Sequence, residues 1–475
     1  MQAKTASVGT KLLFGSGSLA FGAKETSFSF FLLVYYNQVL GLEAFWAGLA
    51  LAIALAIDAV TDLLVGYWSD HLHNRWGRRH PFMYTAAPLV AVSFFLLWNP
   101  PQAVLAEQSL LFSYLLACVI VVRTFITMFE VPNAAQGPEL TQDYDDRTVL
   151  QAYRYGFGWL GGLLLAVLAF FVLFGLDPAG QLGSRGYEWL GVAGAALMFT
   201  ATYVSAIGTH RHIKHFYKPR RIRTNFGAVT RHILSLFNNQ SFNAVFVSSV
   251  MFGAAQGLSQ ALMVYVNTYY WGLTAQQIGF LPLLGVIAVP SAFFIAPWLG
   301  RRWGKKAASM RIYLFAIVFL PTIYLAEMAG WFPAATSAFY LPLIMLHFLF
   351  ESCAIICMQI IFASMSADIV EDRDRNQSGH RDEGLIFAAR NFTKKAVSGI
   401  GVVLAGLILS LVDFPTAAET TQVTATMTTR LVLAYLPTVI VLYLASWWAI
   451  QWFRIDKDTH LLNLQQTTSG SQSSS

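Results

Sequence analysis

The chain alternates between long apolar runs and short polar loops. The runs lie at about 12–40, 44–68, 83–99, 109–132, 151–176, 188–208, 241–270, 277–299, 307–328, 335–365, 384–412 and 430–453. A helix needs about 20 apolar residues to cross a hydrocarbon core of about 30 Å. A backbone in lipid must satisfy its own hydrogen bonds, so runs of this length predict helices. The short alternating segments of a β-barrel do not occur. The pattern predicts an all-α polytopic membrane protein with twelve transmembrane helices.

Composition agrees. Of 475 residues, 56% are hydrophobic and 12% charged, against roughly 25% charged in a soluble chain. Most of the chain therefore belongs in lipid. The basic residues cluster in particular loops: Arg75, Arg78 and Arg79 in one, most of 210–232 in a second, and RRWGKK at 301–306 in a third. The alternate loops carry almost no Lys or Arg, Arg185 being the exception. This asymmetry predicts that the basic loops and both termini face the cytoplasm. The net charge of +6 is thus a signal of orientation and does not point to nucleic acid. The first apolar segment is too long for a cleavable leader and lacks a small-residue cleavage site. Cys118, Cys353 and Cys357 sit inside apolar runs, which argues against a disulfide framework or a CxxC metal site.

The two halves repeat weakly. RWGRR at 75–79 returns as RWGKK at 302–306, GLEAFWAG at 41–48 as GLTAQQIG at 272–279, and PELTQDYDDR at 138–147 as SADIVEDRDR at 366–375. The shifts are 227, 231 and 228 positions. A nearly constant shift predicts two pseudo-symmetric six-helix bundles with a central site. The expected domains are 1–209, a basic cytoplasmic linker at 210–239, a second bundle at 240–455, and a disordered tail at 456–475 ending in QTTSGSQSSS.

Several charges fall inside the runs. Asp58 and Asp62 are four apart on one helix face, with Thr61 near it. A charge at mid-bilayer costs at least about 2.5–3.5 kcal/mol, so both acids need partners or protons. Two carboxylates and hydroxyl oxygens suit Na⁺, Li⁺ or a proton; the alternative is a structural ion pair, and the functional reading is preferred. Arg123, Thr127 and Glu130 share a face of the fourth run, and Pro132 should loosen its end. Glu130 either meets a polar substrate or pairs with Arg123. Lys24 and Glu25 are adjacent in the Gly-rich first run, so at most one is expected to face a cavity. Lys395 lies about 11 residues into the eleventh run, roughly 17 Å deep at 1.5 Å per residue, comparable to Asp58, which it is expected to approach. Arg390 and Lys394 read as interface anchors. His347 with Glu351, and Gln256, Gln260 and Gln359, are weaker candidates that read as interhelical glue.

DAVTDLLVGYWSD at 58–70 followed by RWGRRHPF resembles the helix-two signature of the glycoside–pentoside–hexuronide:cation symporter family, a branch of the major facilitator superfamily. PELTQDYDDRTVLQAYR at 138–154, and ADIVED at 367–372 with EGLIFAARNFTKK at 383–395, are similar to that family's later motifs. The resemblance implies a cation site at Asp58, Asp62 and Thr127, and substrate contacts at Glu25, Glu130 and Arg154. It further implies a coupling lysine at Lys395 and a cytoplasmic gate at Asp70, Arg75, Arg78 and Arg79. Three positions depart from it. Ala134 and Gln359 stand where sugar carriers have tryptophans, and Leu55 replaces an arginine one turn before Asp58. Arg123 has no counterpart in the melibiose carrier.

The expected activity is secondary active symport of a sugar, glycoside or related polar solute by alternating access. Coupling is to Na⁺ or H⁺, with Li⁺ a further option, and no cofactor is needed. The expected form is a monomer in the plasma membrane, a bacterial inner membrane by the resemblance. Vertebrate lysophospholipid symporters share the signature, so an amphiphile is the alternative substrate. A membrane enzyme is disfavoured, because no HExxH, GxSxG or clustered-histidine pattern lies in the membrane-facing parts.

Overall fold

The computed structural model describes residues 6–72, 76–141, 144–211, 237, 239–376, 399–417 and 423–454. Helices follow one another throughout: α1 Val8–Ser16, α2 Ser18–Thr26, α3 Ala44–His71, α4 His80–Trp98, α5 Gln108–Leu140, α6 Tyr144–Leu168, α7 Ser184–His210 and α8 Gln240–Tyr265. After these come α9 Ala275–Leu283, α10 Gly285–Trp303, α11 Lys305–Phe319, α12 Thr322–Met328 and α13 Tyr340–Asn376. The last two are α14, Gly399–Leu411, and α15, Ala425–Ile450. Among the described residues, ten helical segments are long and apolar enough to cross a membrane. Of the twelve expected, the first is a broken helix and the eleventh is described only as α14.

The breaks have local causes. The ninth run divides into α11 and α12 at Pro321, which has no N–H to donate to the helix. The first run bends at Gly17 and then passes through two π-helical turns, Ser27–Phe31 and Tyr35–Val39. A π turn inserts an extra residue and rotates the face that follows. Here the rotation presents Tyr35 and Tyr36 to the end of α4, whose last carbonyls have no helical partner. Tyr35 donates to the Trp98 carbonyl at 2.9 Å, Tyr36 to Leu97 at 2.8 Å and Tyr114 to Leu96 at 2.6 Å. Two phenols thus satisfy the last two carbonyls of α4, while the Leu96 carbonyl also accepts the Asn99 N–H at 3.2 Å.

The internal repeats reappear as backbone geometry. Gly77 and Gly304, from RWGRR and RWGKK, both have left-handed φ, 77° and 79°. Gly41 and Gly272, 231 positions apart, do so too, at 79° and 62°. Each follows a π turn, Tyr35–Val39 or Val266–Tyr270. The bonding repeats with the same shift: Leu42 N–H to the Tyr36 carbonyl, and Leu273 N–H to Asn267. Only glycine adopts this turn without steric cost, which explains why these short motifs repeat when little else does.

The chain forms two compact units. One takes in Met1–Arg221, Gly257–Pro282 and Gly399–Val432; the other takes in Ile222–Gln256, Leu283–Ser398 and Leu433–Ser475. The boundary cuts α8 because its last turns bond to the first segment. Tyr265 donates to Asn37 Oδ1 at 2.8 Å, Tyr269 to Gln38 Oε1 at 3.0 Å, and Gln38 Nε2 to the Pro415 carbonyl at 3.0 Å. Gln181 Nε2 reaches Thr268 Oγ1 at 3.0 Å beside them. These contacts close the end of the unit opposite the Arg78–Arg79 loop. In the second unit, α13 packs on α10 and α11, and Ser248 bonds to the Ser446 carbonyl at 3.0 Å.

In the first unit α2 and α6 touch backbone to backbone. A Cβ at Gly22 would lie 1.6 Å from the Gly158 carbonyl oxygen. Small residues let membrane helices approach this closely. Gly22→Val must push the helices apart. Overpacking typically costs about 1–3 kcal/mol, and backbone cannot step aside as a side chain can. The expected result is a lowered unfolding midpoint in detergent; an unchanged midpoint would show that the helices do not meet there.

Candidate functional site

Two helices build the site. α3 and α5 pack along their lengths and face Asp58 and Asp62 with Arg123 and Thr127. Asp58 is 2% exposed and Arg123 6%. Arg123 Nη1 donates to Asp58 Oδ2 at 3.1 Å. Thr127 Oγ1 lies 3.2 Å from Asp58 Oδ1 and 2.9 Å from Asp62 Oδ1. The hydroxyl thus bridges both acids. It has a single hydrogen, so it donates to only one of the two carboxylates at a time. Three oxygens thus converge, and this donor set fits a hard monovalent cation or a proton. Thr61, expected near this face, bonds instead to its own helix, at the Asp58 carbonyl, 3.0 Å.

Arg123 is held from several sides. Its guanidinium lies 5.2 Å from the centre of the Phe28 ring, and its buried Nε has no hydrogen-bond partner. Glu130 was expected either to meet a polar substrate or to pair with Arg123; the ion pair of Arg123 seen here is the one across to Asp58 on α3. Lys24 does pair with its neighbour Glu25, Lys24 being 2% and Glu25 43% exposed. The long lysine chain, lying over the Phe21 ring at 4.9 Å, folds back, so adjacency along the helix did not separate the charges. Glu25 keeps the more exposed position.

The remaining candidates are dispersed. Glu130 is half-buried on α5. Arg154 on α6 donates to Gln151 at 3.1 Å, and its Nε is buried without a partner. Arg79 donates to the Ala135 carbonyl at 2.5 Å, tying the basic loop to the end of α5; Arg78 is half-buried. Asp70 belongs to α3, but its side chain is not among those described, and Arg75, Arg390, Lys394 and Lys395 lie outside the described residues. In the second unit His347 bonds to the Phe319 carbonyl at 3.1 Å and Gln256 to the Tyr443 hydroxyl at 2.9 Å, as interhelical glue does. Sequence reasoning passed over the latch at the basic-loop end, where Lys11 pairs with Asp146 and the Ala6 N–H donates to the same carboxylate at 2.7 Å. Burial pushes the Asp146 carboxyl up, but bonds from Lys11, Ala6 and Thr141 outweigh it and hold it below the usual range.

The family model described as MFS/sugar transport protein matches residues 13–457. The chain belongs to this family. An uncharacterized symporter, sll1374, of Synechocystis is 32% identical over 197 residues, 40% of this chain and 36% of that one; the match spans little more than a third of that relative. A putative glycoside/cation symporter of Escherichia coli, YagG, is 24% identical over 438 residues, covering 90% of this chain and 88% of its own. The crystal structure of the nucleoside transporter NupG superposes with a TM-score of 0.63 at 14% identity, over 94% of this chain and 99% of that one, which shows a shared fold. The family is one of multi-pass membrane transporters, and a coupling cation is common to its symporters. One departure from its sugar carriers now has a structural counterpart. The arginine missing at Leu55 is matched by a guanidinium that reaches Asp58 from the facing helix, from Arg123.

Proposed function

We propose that this protein is a secondary active transporter that couples movement of a sugar, glycoside or similar polar solute to an inward cation gradient, and that it is not an enzyme. Asp58, Asp62 and Thr127 hold the cation, and the observation that carries this reading is the Thr127 hydroxyl shared by two buried-face carboxylates. The ion is Na⁺, Li⁺ or H⁺. Glu25, Glu130 and Arg154 supply the polar contacts to the solute, with Lys395 a further charge that links solute and ion. Two bundles, 1–209 and 240–455, joined by the 210–239 linker, provide alternating access. The basic loops and termini lie in the cytoplasm, and Asp70, Arg75, Arg78 and Arg79 form the gate on that side. The glycoside-named relative supports the solute class, and the absence of tryptophan at Ala134 and Gln359 favours a solute gripped by polar contacts more than by ring stacking.

A thermal-shift screen of the purified protein tests this. A ligand present at 100 times its dissociation constant adds about 2.7 kcal/mol of stability, and binding linkage is reciprocal. A sugar or glycoside is expected to raise the unfolding midpoint more with the cation present than without. Sugars that stabilise equally with and without Na⁺ and at every pH would remove the coupling. A lysolipid that stabilises where no sugar does would move the solute to an amphiphile.

A further inference from the structure

The acids of the site do not face an incoming cation alone. Arg123 reaches Asp58 from the opposite helix, its guanidinium one hydrogen bond from Oδ2. That group stays protonated under all biological conditions. It is buried and sits against Phe28, and Asp58 is its ion partner among the described residues. Other charges stand near the pair. Glu130 lies two turns further along the face of Arg123. Lys24 is 6.0 Å from the Phe28 ring centre and is matched by Glu25.

We propose that Arg123 is a tethered cation that sets the affinity and choice of ion at the Asp58–Asp62 pair. This rests on the cation-site reading above and goes beyond it. The guanidinium engages Asp58 Oδ2, an oxygen of the same cluster that the mobile ion would use. A fixed unit charge at hydrogen-bond distance, in a setting of low dielectric, lowers the affinity of a carboxylate for any second cation by far more than tenfold. It also removes one oxygen from a set that Na⁺ or Li⁺ must use several of at once. Arg123 therefore raises the sodium concentration at which the site fills. The Leu55 position, where carriers of the resembling family have an arginine on the same helix as the acids, supplies no such charge here.

Equilibrium binding of radioactive sodium to the purified full-length protein in detergent tests this without knowledge of the solute. Wild-type protein is expected to bind sodium weakly. R123Q and R123M, which both remove the charge, are expected to bind it at least tenfold more tightly, and R123K to stay near wild type. Adding D62N to either neutral variant is expected to abolish the gain. Neutral variants that bind sodium no better than wild type overturn the proposal. So does submillimolar sodium affinity in the wild type, which needs no variant to fold. Tight binding that survives D58N and D62N together overturns the cation-site reading itself, and with it the proposal.

Discussion

Asp62→Asn is expected to abolish cation-driven accumulation while the protein stays folded. The carboxylate belongs to the Thr127 cluster: its Oδ1 is 2.9 Å from Thr127 Oγ1, and the residue is half-buried on α3. An amide of the same shape still accepts the Thr127 hydrogen bond, so packing is preserved. It carries no charge, so it gives up most of the attraction for a cation. Coupling free energies between sites commonly amount to about 1–3 kcal/mol, or about 5–150-fold in affinity, and that enhancement should vanish. The measurement is uptake into cells or vesicles of whichever solute stabilises the purified protein, with an imposed Na⁺ or H⁺ gradient. Downhill entry should continue and uphill accumulation should stop. Accumulation at the wild-type level in D62N would mean that the ion is held elsewhere.

Asp58→Leu should do something different, and larger, to the fold. Asp58 is the ion partner of a guanidinium that is 6% exposed and already has an unpartnered Nε. Removing one member of a buried pair strands the other, at a cost of about 3–5 kcal/mol. The double variant Asp58→Leu with Arg123→Leu removes both charges, and replacing a whole buried pair by apolar groups is often neutral or stabilising. Unfolding in detergent should therefore show a marked loss for the single variant and recovery for the double. A double variant as unstable as the single would show that the pair is not the source of the loss.

The periodicity of apolar positions marks the spans well, because in lipid nothing but a helix satisfies the backbone. The short repeats were legible for a similar reason. Gly41, Gly77, Gly272 and Gly304 occupy left-handed turns that other residues resist, so the sequence there has little freedom to drift. Sharing of a face by Asp58 with Asp62, and by Arg123 with Thr127, follows from spacing alone. What spacing could not decide was the partner of each group. Arg123 had Glu130 on the same face of its own helix and Asp58 and Asp62 on another, and only the register of α3 against α5 selects Asp58. Thr61 and Thr127 were equivalent as hydroxyls until Thr61 turned to its own backbone. The π turns of the first segment carry no proline or glycine to announce them. They are set by tertiary demands, such as the α4 carbonyls that Tyr35 and Tyr36 satisfy.

The two ends of the first unit are fastened by different forces. Near the basic loop the fasteners are ionic, as in Lys11 with Asp146. At the far end Asn37, Gln38, Tyr265, Tyr269 and the Pro415 carbonyl interlock without a single formal charge. Dissolved electrolyte screens the first kind and hardly touches the second. Each neutral bond contributes only about 0.5–1.5 kcal/mol net, since water replaces it when the end parts. That closure is thus cheap to undo, indifferent to brine, and sensitive to hydration, so urea or a crowding osmolyte would shift it where salt would not.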